Sequence, residues 1–190
     1  MALDHMSSHS DTVSSSLQLA VVIPAWNERE NIELLLPALK EMIADLGLTT
    51  EIIVADGGSR DGTAEAAQRR GARVVVQKEP GYGSALIAGF AATSAPYIVT
   101  MDADLSHRPV FLEEFWRRRH EAEVVIASRY VPGGRADMNG FRRLLSHILN
   151  RTFSRVLSLS LRDLSSGFRM YHRDVLTELT LVARGFDVLE

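Results

Sequence analysis

The segment YIVTMDADLSHRP (97–109) joins a run of strand-forming residues to two carboxylates, Asp102 and Asp104, separated by one alanine. Side chains alternate between faces in an extended chain, so Asp102 and Asp104 are predicted to leave the same face as close neighbours. Two neighbouring carboxylates repel each other unless a partner compensates their charge. A hard divalent cation with oxygen ligands is such a partner, so we predict a Mg²⁺ or Mn²⁺ site here, with Ser106 as a further oxygen ligand.

The carboxylate pair also has a plainer interpretation, as solvated turn residues, or with Asp104 capping a helix that has Pro109 in its first turn. A position at the end of a buried strand favours the metal site, because perturbed carboxylate pairs concentrate at functional sites. His107 is interpreted as a surface residue rather than a ligand.

Strand-like and helix-like segments alternate along the chain on both sides of this segment. Asn27 is predicted to cap the first helix, which Gly47 ends and Pro37 kinks or splits, and Asp61 is predicted to cap the second. The predicted strands are LQLAVVIP (17–24), EIIVA (51–55), RVVVQ (73–77), YIVTM (97–101) and EVVIAS (123–128).

This alternation predicts an α/β fold with right-handed crossovers, a mostly parallel sheet and helices on both faces. Ligands of such sheets collect at the carboxyl ends of the strands. The loops predicted there, PAWNE, DGGSRDG, DADLSH and SRYVPGG, hold nearly all the polar residues that suggest chemistry.

Composition limits the class of protein. The 190 residues, 46% hydrophobic and 24% charged, fit one globular domain, which we place at 17–190 behind a lead (1–16) read as a cloning remnant and disordered segment. The absence of cysteine excludes disulfides and thiolate zinc sites and permits a reducing compartment. No apolar run approaches the roughly 20 residues that cross a bilayer, and the start lacks a signal-peptide pattern.

Charge is distributed unevenly along a chain whose net charge is −3. Between 139 and 173, seven arginines accompany a single acid, Asp163, which predicts an anion-binding face. Arg143, Arg151 and Arg155 recur at a spacing that forms one basic stripe on an amphipathic helix. We hypothesise that this helix lies on an anionic membrane surface; the alternative is a helix packed on the sheet with a solvated basic face.

Two glycine-rich loops bear on the choice of ligand. DGGSRDGT (56–63) suits either a nucleoside site, because glycine lets the backbone approach a ligand, or a tight strand-to-helix turn. GYGSALIAG (81–89) has Leu86 where a dinucleotide fingerprint needs its third glycine, so a Rossmann cofactor is disfavoured, and the chain has no Walker lysine pattern.

Six motifs together resemble the inverting GT-A glycosyltransferases of family 2, above all the dolichol- or polyprenol-phosphate mannose synthases. They are VVIPAWNERENI (21–32), EIIVADGGSRDGT (51–63), GYGSALIAG (81–89), MDADLSHRP (101–109), SRYVPGG (128–134) and SSGFRMYHRDVL (165–176). The resemblance covers 19–190 and implies the GT-A (nucleotide-diphospho-sugar transferase) fold, a sugar nucleotide, usually GDP-mannose, and Mg²⁺ or Mn²⁺. It further implies a polyprenyl-phosphate acceptor and a cytoplasmic enzyme, peripheral or tethered at the membrane. It would continue beyond the final GFDVLE, so a catalytic domain truncated at its C-terminus is expected.

The resemblance also assigns residues. Trp26 stands where tyrosine is usual, and Gly57 where a second aspartate usually contacts the nucleoside, which leaves GDP and UDP both open. The resemblance assigns catalytic roles to Asp102, Asp104 and Arg129. Arg129, Arg142 and Arg169 are predicted to bind the acceptor phosphate. The predicted donor-binding residues are Pro24, Trp26, Glu28, Ala55, Asp56, Asp102, Ala103 and Asp104.

The chemistry agrees with a phosphate acceptor, which is mostly dianionic at neutral pH and needs no general base. A UDP-glucose-type transferase and a catalytically silent module that binds nucleotide-sugar or a lipid surface remain alternatives. A nucleotidyltransferase normally has a glycine-rich basic loop after strand one, and a receiver domain needs acids there; PAWNERE is neither. Nucleic acid is not an expected partner.

Overall fold

The computed structural model describes residues 16–127 and 166–178. Most of the predicted lead, the predicted helix with Arg143, Arg151 and Arg155, and the assigned Arg129 and Arg142 lie outside these ranges. In chain order the elements are β1 (Leu19–Ala25), α1 (Arg29–Leu46), β2 (Thr50–Asp56), α2 (Thr63–Arg69), β3 (Arg73–Val76), α3 (Tyr82–Ala91), β4 (Tyr97–Thr100), α4 (Phe111–Arg118), β5 (Val124–Ile126), β6 (Arg169–His172) and α5 (Arg173–Glu178).

The strands form one mixed sheet in the order β3-β2-β1-β4-β6-β5. β1, β2, β3 and β4 are mutually parallel, whereas β6 is antiparallel to both of its neighbours, β4 and β5. The prediction of a mostly parallel sheet is therefore confirmed. The sequence did not predict β6, which inserts between β4 and β5.

The core lies on both faces of the sheet. Every residue of β1 is buried, and its side chains alternate: Leu19, Val21 and Ile23 pack with α1, α2 and α4, while Ala20 and Val22 pack with α3. Such two-sided burial is the usual reason that central parallel strands are apolar throughout. Helices on both faces are thus confirmed.

Helix α1 runs without a break through Pro37. The expected split does not occur, because Pro37 lies on the exposed face, where water can bond the carbonyl that proline leaves without a donor. The helix ends as predicted at Gly47, whose left-handed φ of 63° suits glycine. Among the described residues, no helix is both long and apolar enough to cross a bilayer.

Candidate functional site

A cleft of about 640 Å³ opens at the carboxyl ends of β1, β2 and β4. Six residues predicted from the sequence line it, including both acids of the D-A-D motif. The lining residues are Pro24, Ala25, Trp26, Glu28, Gly57, Gln77, Pro80, Gly81, Tyr82, Ala85, Asp102, Ala103 and Asp104. The cleft therefore combines an aromatic ring, a carboxylate pair and backbone that a ligand can approach.

The loops that follow β1 and β2 are joined through Asn27. Its backbone N–H donates to Ser59 Oγ at 2.9 Å, and its side-chain oxygen accepts from the Arg60 N–H at 2.9 Å. Asn27 adopts a positive φ of 56°, a conformation that asparagine tolerates better than most residues. The predicted cap at Asn27 is wrong, because its side chain bonds the neighbouring loop instead of the helix.

Asp61 accepts hydrogen bonds from backbone groups at the start of both α1 and α2. One carboxylate oxygen accepts from the Arg29 N–H at 3.0 Å, and the other accepts from the Thr63 N–H at 3.0 Å and the Thr63 hydroxyl at 2.5 Å. The hydrogen bond from the Thr63 hydroxyl is the main reason that the pKa of Asp61 lies below its ordinary value. The N-cap position of α2 is Gly62, one residue later than predicted, but Asp61 still bonds the N–H groups of the first residues of α1 and α2.

Trp26 stands at the mouth of the cleft, with 67% of its surface exposed. A Cβ added to Gly57 would lie 3.3 Å from both Cβ and Cδ1 of Trp26, so the indole packs against the glycine backbone. A glycine at position 57 thus leaves room for the Trp26 ring. A flat, exposed ring is suited to stacking on a nucleobase.

Asp56 and Ala55 lie beneath the cleft rather than in its wall. Asp56 is 4% exposed, and its carboxylate accepts hydrogen bonds from the Gly58 and Ser59 N–H groups and, at 2.5 Å, from the Ser59 hydroxyl. Ala55 is fully buried. These bonds show that Asp56 shapes the loop after β2, and its contact with a donor base stays a prediction.

Gln77, which the sequence did not single out, lines the cleft on the side of β3. Its amide oxygen is buried and has no hydrogen-bond partner among the described residues. Burying an amide oxygen without a donor is unfavourable, so this oxygen would accept a hydrogen bond from any donor that came within reach.

The acids of the D-A-D motif lie just beyond β4, which ends at Thr100, and not within the strand itself. Both nevertheless line the same cleft, as predicted from their spacing. Asp104 is exposed, and it accepts a hydrogen bond from the Ser106 N–H at 3.0 Å across Leu105, whose φ is 62°. Ser106 therefore shapes the loop, and its hydroxyl lies 3.4 Å from His107 Nδ1, so its role as a metal ligand stays a prediction.

Asp102 is held more closely than Asp104. Its Oδ1 accepts a hydrogen bond of 2.8 Å from the Tyr82 hydroxyl, and its Oδ2 lies 3.7 Å from His107 Nδ1. Burial, together with the Asp102 charge, raises the pKa of Tyr82 far above its ordinary value, so this phenol stays protonated and donates. His107 is not the surface residue expected, because only 12% of its side chain is exposed and its ring packs on Phe168 at 4.9 Å.

Gly167 covers the other side of Asp102. A Cβ at this position would lie 2.8 Å from both carboxylate oxygens and 2.6 Å from the Tyr82 oxygen. The Gly167 carbonyl accepts a hydrogen bond of 2.6 Å from the buried Thr100 hydroxyl, which fixes the segment to β4. The sequence signal from which this contact could have been predicted is the glycine of the SSGF segment (165–168).

Arg169 is buried in β6, with 5% of its surface exposed, and does not line the cleft. Its Nε donates to the Ser166 carbonyl at 2.8 Å. Its role at the acceptor phosphate stays a prediction, but these surroundings favour support of the 166–168 segment. Arg129 and Arg142, assigned to the same phosphate, are outside the described residues.

The donor set fits a hard divalent cation. Two carboxylates face one cleft, and within the described ranges no group of three or more His, Cys, Asp or Glu residues forms a closed metal cage. Mg²⁺ and its analogues are commonly bound by one or two carboxylates, with water and phosphate oxygens completing the shell. Asp102 and Asp104 leave such positions open.

Comparison with known proteins identifies the family. The family model of glycosyl transferase family 2 matches residues 20–180. A dolichol-phosphate mannosyltransferase of Pyrococcus furiosus is 34% identical over 182 residues, 91% of this chain and 51% of the relative. A polyprenol monophosphomannose synthase of Mycolicibacterium smegmatis is also 34% identical, over 90% of this chain and 68% of the relative. The chain thus spans about half the length of the first relative.

Solved structures agree with the fold. Glucosyl-3-phosphoglycerate synthase from Mycobacterium tuberculosis, in complex with Mn²⁺, UDP and glucosyl-3-phosphoglycerate, has a TM-score of 0.69 and 28% identity over 92% of this chain and 63% of that one. The same enzyme with Mn²⁺, UDP-glucose and phosphoglyceric acid gives a TM-score of 0.70. The six-stranded mixed sheet is of the GT-A type, and the chain belongs to glycosyl transferase family 2.

Proposed function

We propose that this protein transfers a hexosyl group, most readily mannose, from a nucleoside diphosphate sugar such as GDP-mannose to a polyprenyl or dolichyl phosphate. The observation that carries the proposal is the meeting of Asp102 and Asp104 with Trp26 in one cleft. The two mannose synthases that match at 34% identity support the choice of sugar and acceptor.

The chain's own residues divide the work of binding. Trp26 stacks on the base, while Asp102 and Asp104 hold Mg²⁺ or Mn²⁺ against the donor diphosphate. When bound, the cation acts as a Lewis acid that neutralises the departing nucleoside diphosphate. Arg129 and Arg142 are proposed to bind the acceptor phosphate, because arginine forms paired hydrogen bonds to phosphate oxygens.

The transfer needs no proton to be moved. A phosphate oxygen of the acceptor attacks the anomeric carbon from the face opposite the diphosphate, and the bond from that carbon to the diphosphate breaks, which inverts the configuration. The acceptor is already mostly dianionic at neutral pH, since its second pKa is about 6. A dedicated general base is therefore unnecessary.

A UDP-glucose-type transferase is the second candidate. It is favoured by the UDP and UDP-glucose complexes of the M. tuberculosis enzyme and by Gly57, which removes the acid that usually contacts the base. Calorimetric titration with GDP-mannose and UDP-glucose, with and without Mn²⁺, separates the two. We expect Mn²⁺-dependent binding with GDP-mannose the tighter ligand; tighter UDP-glucose binding would move the proposal to the second candidate.

Catalysis is tested separately from binding. Incubation with radiolabelled GDP-mannose and polyprenyl phosphate should move label into the lipid fraction and release GDP only when Mn²⁺ or Mg²⁺ is present. Donor binding without any such release would identify a silent binding module instead.

We further propose a peripheral position at the cytoplasmic face of the membrane, where a lipid-borne phosphate is met. The support is the spacing of Arg143, Arg151 and Arg155, each worth about 1 kcal/mol near an anionic surface. Sedimentation with phosphatidylglycerol vesicles should retain the wild type and lose the R143A/R151A/R155A variant. Equal sedimentation of both proteins would reject this position.

A further inference from the structure

The Asp102 carboxylate is held by residues from three separate parts of the chain. Tyr82, the first residue of α3, donates to Oδ1 at 2.8 Å, and His107 lies 3.7 Å from Oδ2. The Gly167 backbone, just before β6, covers both oxygens so closely that no side chain would fit. Asp104 has no comparable enclosure among the described residues, since it is exposed and bonded only to the loop that follows it.

We propose that Tyr82 and Gly167 are positioning residues, which fix the Asp102 carboxylate in the orientation that lets it bind a divalent cation together with Asp104. This inference rests on the function proposed above. It adds to the D-A-D motif two residues that are distant from it in sequence and that act through Asp102.

Tyr82 acts by fixing one oxygen. Only 29% of the Asp102 side chain is exposed, and the bond from the phenol to Oδ1 fixes the rotation of the carboxylate at the edge of the cleft. The Tyr82 ring is itself anchored, because it packs against the core formed with Val22, Ile98 and Tyr171. A partner that orients a ligand in this way typically contributes a factor of about 10 to 100 in metal affinity.

Gly167 acts by its lack of a side chain. Its φ lies outside the left-handed region, so the backbone itself does not require glycine. The requirement is steric, because a Cβ would lie 2.8 Å from both Asp102 oxygens and 2.6 Å from the Tyr82 oxygen. An alanine would push the carboxylate out of place and separate it from the phenol.

A purely structural role would have a different signature. If the Tyr82 hydroxyl only joined α3 to β4, then its loss would lower thermal stability and leave metal affinity unchanged. The positioning role predicts the opposite result: metal affinity falls while the melting temperature changes little. Mn²⁺ affinity and the melting temperature, measured on the same samples, distinguish the two.

The experiment titrates the whole 190-residue chain with Mn²⁺, alone and with GDP or UDP, by calorimetry and by the EPR signal of unbound Mn²⁺. The variants are Tyr82→Phe, which removes one hydroxyl, and Gly167→Ala. The matched control is Tyr97→Phe, which removes a hydroxyl that lies 3.2 Å from His120 Nδ1, at the opposite end of β4. Circular dichroism melts accompany every titration.

We expect Tyr82→Phe to raise the Mn²⁺ dissociation constant by about 10-fold or more, and Gly167→Ala by at least as much. Tyr97→Phe should bind Mn²⁺ like the wild type. Because both variants act through Asp102, their effects should not multiply: Gly167→Ala should cost a smaller factor in the Tyr82→Phe background.

If the wild type binds Mn²⁺ and Tyr82→Phe binds it with the same affinity, then the positioning role is overturned and the proposed function stays in place. If the loss of Mn²⁺ affinity in the double variant equals the product of the two single losses, then the shared action through Asp102 is overturned. No Mn²⁺ binding by the wild type overturns the proposed function and this inference together. Gly167→Ala is not needed for the decision if it fails to fold, since Tyr82→Phe keeps the ring and its packing.

Discussion

Replacing Gly89 by alanine tests how tightly α3, which begins with Tyr82, is held on the sheet. An added Cβ would fall inside the van der Waals distance of Val22 Cγ1 and would lie 3.2 Å from Val22 Cγ2. Val22 is fully buried in β1, which is paired with strands on both sides, and a valine side chain has few alternative rotamers. The helix, and not the strand, therefore has to move.

Two opposing effects set the magnitude. Alanine in place of glycine inside a helix stabilises by about 0.5–1 kcal/mol, because less backbone entropy is lost on folding. Overpacking a well-filled core costs about 1–3 kcal/mol, and the contact with Val22 Cγ1 belongs at the upper end. The net loss is about 2 kcal/mol, which corresponds to a fall in Tm of about 4–8 °C for a domain of this size.

Thermal and urea unfolding of G89A, V22A and the double variant supply the assay. V22A alone should also be less stable, because it opens a cavity. The double variant should be more stable than the sum of the two single losses implies, since the new methyl occupies the space that valine vacates. Strict additivity, or a G89A protein as stable as the wild type, would refute the close packing of α3 on β1.

Three further predictions concern the loops around the cleft. Trp26→Ala should weaken GDP or UDP binding by about 1–3 kcal/mol, the usual value of a base stacked on an aromatic ring. Trp26→Tyr should keep most of the affinity. If calorimetry finds the affinity of Trp26→Ala unaltered, then stacking is excluded. The lowered pKa of Asp61 means that its contribution to stability is complete above the ordinary value of 3.8 and is lost as pH falls through the folded-state value. Asp61→Asn should therefore melt below the wild type at pH 7 and approach it at pH 3, and a constant difference would count against the bond from Thr63. Thr100→Val removes the donor to the Gly167 carbonyl and should cost about 1–3 kcal/mol in unfolding experiments, whereas a wild-type Tm would show that this bond contributes nothing.

The parallel part of the fold was predictable because its signals are local. Runs of Val and Ile marked β1 to β5, and Gly47 marked the end of α1. β6 gave no such signal: RMYH alternates weakly, and its place depends on antiparallel pairing with β4, about 70 residues earlier in the chain. The start of α1 was likewise decided by a distant residue, Asp61, rather than by the nearby Asn27.

The same distinction applies to the site. The two acids that follow β4 were predicted because the carboxyl ends of parallel strands meet at one edge, whereas Trp26 was assigned by the resemblance to family 2. Tyr82 and His107 were missed, because their roles come from contacts with Asp102 and with Phe168 across the fold.

The central claim is that Asp102 and Asp104 bind one divalent cation that holds the donor diphosphate. Anomalous diffraction from a crystal soaked with Mn²⁺ and GDP-mannose tests it most directly. We expect one strong peak at a coordination distance of about 2.1 Å from an oxygen of this carboxylate pair, with diphosphate oxygens completing the shell. A bound donor with no peak beside either carboxylate, or a peak elsewhere in the molecule, would contradict it.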